Sequence, residues 1–279
     1  MDEARVVNLP SYDFSDQVVM VTGAARGMGR SHVLHFADNG ADIVALDIPE
    51  DDALETKRAS NEDLEQTVSA AGERGIDALP VFADVTVESD VEGAVDAAID
   101  EFGRIDVLVN NAGVGDFGLL TELSESQWDV VLNVNLKGVW LCSKYVGQHF
   151  IEEGRGGNIV STASTAGVVG QYGMGHYSAS KHGVIGLTKS LALELAGYDV
   201  NVNCVVPTGT DTPGVAETSR VYGSEYVERA QELSGPWNIL DGGKIDAAQV
   251  SQAFLWLASD AARYVTGAAL PVDAGFTIK

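Results

Sequence analysis

The chain has 279 residues, 45% of them hydrophobic, and 41 acidic against 17 basic side chains give it a net charge of −24. That length and apolar content suffice for one large α/β domain and leave little room for a second. So negative a surface repels phosphate backbones, which argues against nucleic acid as a partner, and no run approaches the ~18 apolar residues of a membrane span.

Residues 1–16 read as a polar tail pinned by Tyr12 and Phe14, and 17–279 as a single domain. The N-terminus is acidic and lacks the apolar core of a secretory signal, so a cytoplasmic protein is expected. Apolar strand-like runs at 18–22, 42–47, 77–82, 105–109, 157–162, 199–206 and 268–273 alternate with helical stretches. Parallel strands joined by crossover helices require that alternation, so the expected fold is α/β: a doubly wound (Rossmann) parallel seven-stranded sheet with helices on both faces.

The first run, Val18 to Val21, leads into Thr22-Gly23-Ala24-Ala25-Arg26-Gly27-Met28-Gly29 and then a helical stretch from Arg30. Glycines let the backbone turn tightly and approach a pyrophosphate, whose charge meets the free N–H groups at the helix start. The second run ends at Asp47, 18 residues beyond Gly29, where an acid binds the adenosine ribose hydroxyls of a dinucleotide. A 2′-phosphate of about −2 charge beside that carboxylate would meet repulsion of several kcal/mol at an effective dielectric near 20, which favours NAD over NADP. Arg26 is the opposing feature, because an arginine in the turn can accept a phosphate, but Ile48 offers no second cation.

Further along, Tyr177 and Lys181 stand four residues apart in a helical stretch, so the phenol and the ammonium project from one face. A cation beside a phenol favours phenolate, and bringing tyrosine from about 10 to near neutrality takes roughly 4 kcal/mol. The product of such tuning is a proton-transfer group near working pH.

Together these motifs resemble the short-chain dehydrogenase/reductase family from about residue 16 to the C-terminus. Its glycine turn matches Thr22 to Gly29, its adenine-contacting acid Asp84-Val85, and its N-N-A-G segment Asn110-Asn111-Ala112-Gly113. Its catalytic asparagine falls on Asn135, with Asn133 as the rival position, and its serine on Ser164, 13 residues before Tyr177. The resemblance implies a tetrad of Asn135, Ser164, Tyr177 and Lys181. It also implies cofactor contacts from Gly23, Arg26, Gly27, Met28, Gly29, Asp47, Asp84, Val85, Asn111, Ala112, Gly113, Tyr177, Lys181, Pro207, Thr210 and Thr212. Within the family, Gly23 to His32, His176 to Gly183 and Pro207 to Pro213 resemble the carveol-dehydrogenase-like, mycofactocin-associated branch. That branch implies NAD which is buried and exchanges slowly, with electrons leaving through a redox partner.

Moving hydride from an alcohol carbon to nicotinamide requires removing the hydroxyl proton as the carbonyl forms. Tyr177 is the expected base, Ser164 orients the substrate oxygen, and Lys181 lowers the tyrosine pKa and holds the nicotinamide ribose. By resemblance, Asn135 connects Lys181 to water and stabilises a bend in its own helix. The expected function is therefore NAD-dependent interconversion of a secondary alcohol and a ketone. An NADPH-dependent 3-oxoacyl reductase is the alternative within enzymes, and a non-catalytic NAD-binding sensor is the alternative of another class.

Residues 207–245 follow the sixth strand without clear periodicity and are expected to form a substrate lid or a dimer contact. Trp237 and Tyr172 are candidate walls of the substrate site, and His176 and His182 flank the Tyr177–Lys181 pair. Cys142 and Cys204 lack metal-ligand spacing and the five histidines form no cluster, so no metal is expected. Val250, Phe254 and Leu257 recur beside Trp256 on a last helix over Asp246 to Ser259, and family members commonly form tetramers through that region, so a homotetramer is expected.

Acidity spread along the whole chain resembles the surfaces of proteins from salt-accumulating cells, where molar salt screens self-repulsion. Salt-dependent folding is the expected result. Native circular dichroism and full activity after dialysis to low ionic strength would instead mark an acidic protein of ordinary salt tolerance.

Overall fold

The computed structural model describes residues 11–49, 59–212, 229, 232–233, 238–240 and 244–279. The seven apolar runs form β1 (Val18–Thr22), β2 (Asp42–Asp47), β3 (Ala78–Phe82), β4 (Val107–Asn110), β5 (Gly157–Thr162), β6 (Val200–Pro207) and β7 (Ala269–Val272). Every neighbouring pair is parallel, in the order β3-β2-β1-β4-β5-β6-β7. β4 begins later than its apolar run because Asp106 turns its carboxylate to the Val18 N–H at 2.8 Å and to Arg104.

Between the strands lie α1 (Gly27–Asp38), α2 (Asn61–Gly72), α3 (Glu88–Phe102), α4 (Glu125–Leu132), α5 (Val139–Glu153), α6 (Gly175–Leu195) and α7 (Ala247–Ala258). Alternate strand residues serve two cores. Val19, Val21, Ile43, Ala45, Val107 and Val109 pack with Val33 and Phe36 of α1, Leu64 of α2 and Phe254 of α7. Met20, Val44, Leu46, Leu108 and Ile159 pack with Val91 of α3, Leu141 and Phe150 of α5 and Leu195 of α6. Burial on both faces is why the strands read as continuous apolar runs, each large side chain contributing roughly 1.5–3 kcal/mol.

Residues before β1 share this packing: Phe14 is fully buried edge-on to Phe36 at 4.9 Å, and the Tyr12 N–H donates to Asn39 Oδ1 at 2.8 Å. In α7 the apolar residues on several faces are largely used inside the protomer, with Val250, Phe254, Leu255 and Leu257 buried and Trp256 packed against the same core. Among the described residues, no helix is long and apolar enough to cross a membrane, and no group of His, Cys, Asp or Glu is arranged to hold a metal ion.

The chain builds β1, β2 and β3 outward, returns to the middle, and builds β4 to β7 the other way. Loops leaving the carboxyl ends of β1 and β4 therefore diverge and leave a crevice at the reversal. Of the expected lid, the ends are tied down: Thr208 donates its hydroxyl to Asn238 Oδ1 at 2.9 Å, and the Ile239 N–H donates to Ala274 O at 2.9 Å. Residues 213–228, 230–231, 234–237 and 241–243, Trp237 among them, lie outside the described residues.

Candidate active site

The loops after β1 and β4 are joined through Thr22 and Asn111. The Thr22 hydroxyl accepts the N–H groups of Asn111 and Ala112, both at 3.0 Å, and Asn111 Nδ2 donates to the carbonyls of Thr22 and Gly23, both at 3.1 Å. Arg26 precedes α1 in extended conformation and places no side-chain cap on the helix, so the first-turn N–H groups remain for an anion. A cleft of about 450 Å³ opens here, lined by Gly23, Arg26, Gly27, Met28, Asp47, Asp84, Val85, Asn111, Ala112, Gly113 and Thr212.

Five expected cofactor residues do not line that cleft: Tyr177 and Lys181, which belong to its far side, and Gly29, Pro207 and Thr210. Gly29 sits behind the turn, Pro207 pairs with Val272 inside the sheet, and the buried Thr210 gives its hydroxyl to Thr208 O at 3.1 Å. They shape the crevice rather than face it. Other lining residues carry no motif of their own, including Leu46, Ile48, Ala59, Thr86, Val114, Val130, Asn133 and Val134. Ile48, Thr86 and Val114 follow strand ends, whereas Val130, Asn133 and Val134 come from the α4 end and the segment after it.

Asp47 closes the β2 end of the cleft. Its two oxygens accept the N–H groups of Ala25 and Ile48, each at 2.8 Å, which leaves lone pairs for ribose hydroxyls. Burial raises its pKa above the usual carboxylate range, with the two backbone bonds and then Arg26 pulling the other way. A ligand that hydrogen-bonds the carboxylate binds the ionised form, so dinucleotide affinity should fall as pH drops through that raised value. A titration of affinity against pH checks this: the acid limb should disappear in Asp47→Asn, and an unchanged limb would assign it to another group.

At the far side, β5 delivers Ser164 into a short 3-10 turn, where its hydroxyl accepts the Ala166 N–H at 3.1 Å. The Ser164 hydroxyl stands near enough to the Tyr177 phenol to pull its pKa down against burial. Lys181, one turn further along α6, is buried, with Nζ 5.7 Å from the Tyr177 ring centre and donating to Thr162 O at 2.7 Å. Gly113 joins this group to the cleft, because a Cβ there would stand 3.3 Å from Asn135 Oδ1 and 3.8 Å from Lys181 Nζ. A side chain at 113 would press on the Asn135 amide, which would have to give by a few tenths of an ångström.

Asn135 lies in a π-helical segment, Asn133–Gly138, that widens the join between α4 and α5. Its Oδ1 accepts the Val114 N–H at 2.8 Å, and its Nδ2 donates to Val114 O at 2.9 Å and to Ser180 Oγ at 3.3 Å. The asparagine thus fastens the loop after β4 to α6. Tyr172 is half-buried on the segment between Ser164 and α6. His176 is buried with Nε2 3.9 Å from Asp116 Oδ2, and the His182 ring donates from Nδ1 to Ser178 O at 2.9 Å.

The electrostatics depart from expectation at the phenol. Burial raises the Tyr177 pKa, and the Ser164 hydroxyl opposes it only in part. The net shift is upward, not the lowering expected from Lys181, and burial brings the Lys181 ammonium down to about 8. Desolvation disfavours both charged forms.

A family model described as short chain dehydrogenase matches residues 17–222. The chain belongs to the short-chain dehydrogenase family. Members similar to it include the (-)-trans-carveol dehydrogenase of Rhodococcus erythropolis, 39% identical over 94% of this chain and 98% of the relative. The 3-oxoacyl-[acyl-carrier-protein] reductase of Thermotoga maritima is 37% identical over 94% and 98%. Among solved structures, carveol dehydrogenase from Mycobacterium avium in complex with NAD superposes with a TM-score of 0.88 at 36% identity, covering 96% of this chain and all of that one. As a short-chain dehydrogenase with this seven-stranded parallel sheet, the protein is an oxidoreductase.

Proposed function

We propose that this dehydrogenase interconverts a secondary alcohol and a ketone with NAD, using Tyr177 as the proton-transfer group. The observation that carries this is the grouping of Ser164, Tyr177 and the buried Lys181, whose Nζ stands 5.7 Å from the Tyr177 ring centre, joined at Gly113 to a cleft that ends at Asp47. The relatives named for carveol and the neighbour in complex with NAD support the same reading.

The residues fit a dinucleotide. The uncapped start of α1 receives the pyrophosphate, Asp47 the adenosine ribose, and Asp84-Val85 the adenine edge. Bound NAD supplies the hydride acceptor and, when oxidised, positive charge. Ser164 holds the substrate oxygen. Tyr177 takes the hydroxyl proton as the carbonyl forms, and returns it in the reverse direction. Lys181, anchored on Thr162 O, holds the nicotinamide ribose, and Asn135 keeps the Val114 loop against α6 so that the site stays assembled.

The test is NADH formation with a panel of secondary alcohols that includes carveol and 3-hydroxyacyl thioesters. No turnover with any alcohol, alongside tight NAD binding, would favour a sensor instead. We extend the proposal to a homotetrameric, cytoplasmic, salt-adapted enzyme whose NAD exchanges slowly and passes electrons to a redox partner. Nucleotide found by mass spectrometry after denaturing the purified protein supports slow exchange. A monomer by light scattering at high salt counts against the assembly.

A further inference from the structure

Next to the wall between Asp47 and α2, the first turn of α2 carries a second carboxylate, Asp63, that the family motifs do not assign. Ala59 lines the cleft, and Ser60 then caps α2: Asp63 Oδ2 accepts the Ser60 N–H at 2.8 Å, and Ser60 Oγ accepts the Asp63 N–H at 3.1 Å. That reciprocal pair holds the Asp63 carboxylate in place beside the cleft-lining residue. One turn on, the buried Thr67 gives its hydroxyl to Ala25 O at 2.9 Å and to Asp63 O at 3.0 Å. Ala25 in turn donates its N–H to Asp47 at 2.8 Å. The start of α2, the glycine turn and Asp47 are therefore one hydrogen-bonded unit.

Charge in this unit is lopsided. Asp63 acts on Asp47 through its field, pushing the Asp47 pKa up, while Arg26 pulls it down. The nearby Arg30 guanidinium is engaged with Thr67 Oγ1 at 3.3 Å, and α2 carries Glu62 as well in its first turn.

We propose that Asp63 is a specificity-determining residue for the cofactor, its fixed carboxylate adding to that of Asp47 so that a 2′-phosphate on the adenosine ribose meets two anions instead of one. This rests on the reading of the cleft as an NAD site. The neutral ribose of NAD is indifferent to the second charge, whereas a dianionic phosphate within about 10 Å of it is repelled enough to change affinity by about tenfold.

The experiment is fluorescence titration of NADH and NADPH onto the full-length protein, native and as Asp63→Asn, at low and at molar salt. Asparagine keeps an oxygen for the Ser60 N–H, so the helix start is preserved and only the charge is removed. The expected result is an NADPH affinity about tenfold higher in Asp63→Asn with NADH affinity unchanged, a difference that shrinks at molar salt. An unchanged NADPH to NADH ratio in Asp63→Asn, in a native protein that prefers NADH, overturns the role of Asp63 and leaves the cofactor reading intact. A native protein that prefers NADPH overturns both. Asp63→Ala is the control for the cap: an affinity shift there but not in Asp63→Asn would assign the effect to helix packing and also overturn the proposal.

Discussion

Tyr177→Phe should lower turnover with a secondary alcohol by about 10²–10⁴-fold while NADH still binds, because general acid–base groups contribute on that scale and this phenol feels the Ser164 hydroxyl directly. The fold should tolerate the change. The Ser164 hydroxyl keeps its bond from the Ala166 N–H in the variant. The pH dependence follows from the raised phenol: the base form gains population as pH rises, so alcohol oxidation should climb into the alkaline range. Ketone reduction uses the protonated form and should fall over the same range. Steady-state rates in both directions across pH check the sign, and turnover kept within a few-fold in Tyr177→Phe would remove Tyr177 from the chemistry.

Gly29→Ala should abolish dinucleotide binding and cost stability. A Cβ at 29 would lie 1.8 Å from Gly23 O and 2.6 Å from Asn111 Nδ2, and both are held by the bonds that join the β1 and β4 loops. Neither neighbour is a flexible side-chain end, so the turn itself must open. Overpacking of this kind costs about 1–3 kcal/mol, which for a chain of this size lowers Tm by roughly 2–12 °C. Gly93→Ala in α3 is the comparison: nothing lies within 4 Å of the added carbon, and alanine favours a helix interior by about 1 kcal/mol, so Tm should hold or rise. Calorimetry of the two variants with an NADH titration decides the matter. A Gly29→Ala protein that melts and binds like the native chain would mean that the turn is looser than its hydrogen bonds indicate.

The site was legible in the sequence wherever its geometry is local. Tyr177 and Lys181 share a helix face because four residues make about one turn. The glycines of 23–29 mark a turn that no side chain can enter, and Asp47 stands at a strand end fixed by its apolar run. Asn135 carried no such signal. Its function depends on Val114 and Ser180, 21 and 45 residues away, and only the resemblance to a family singled it out. Pro207 and Thr210 show the converse, since their motif lies near the cleft but the sheet and Thr208 occupy the atoms expected to face it.

Residue order thus determined the seven strands, their alternation with helices, the glycine turn after β1 and the phenol–ammonium pair, because periodicity and backbone permissiveness act over a few residues. Tertiary structure alone decided the direction of the Tyr177 shift, the pinning of Asn135 and the tie that Thr67 and Ala25 make between α2 and Asp47. Each depends on burial or on contacts between segments distant along the chain, and spacing along a helix says nothing of how far a packed site desolvates the groups it brings together.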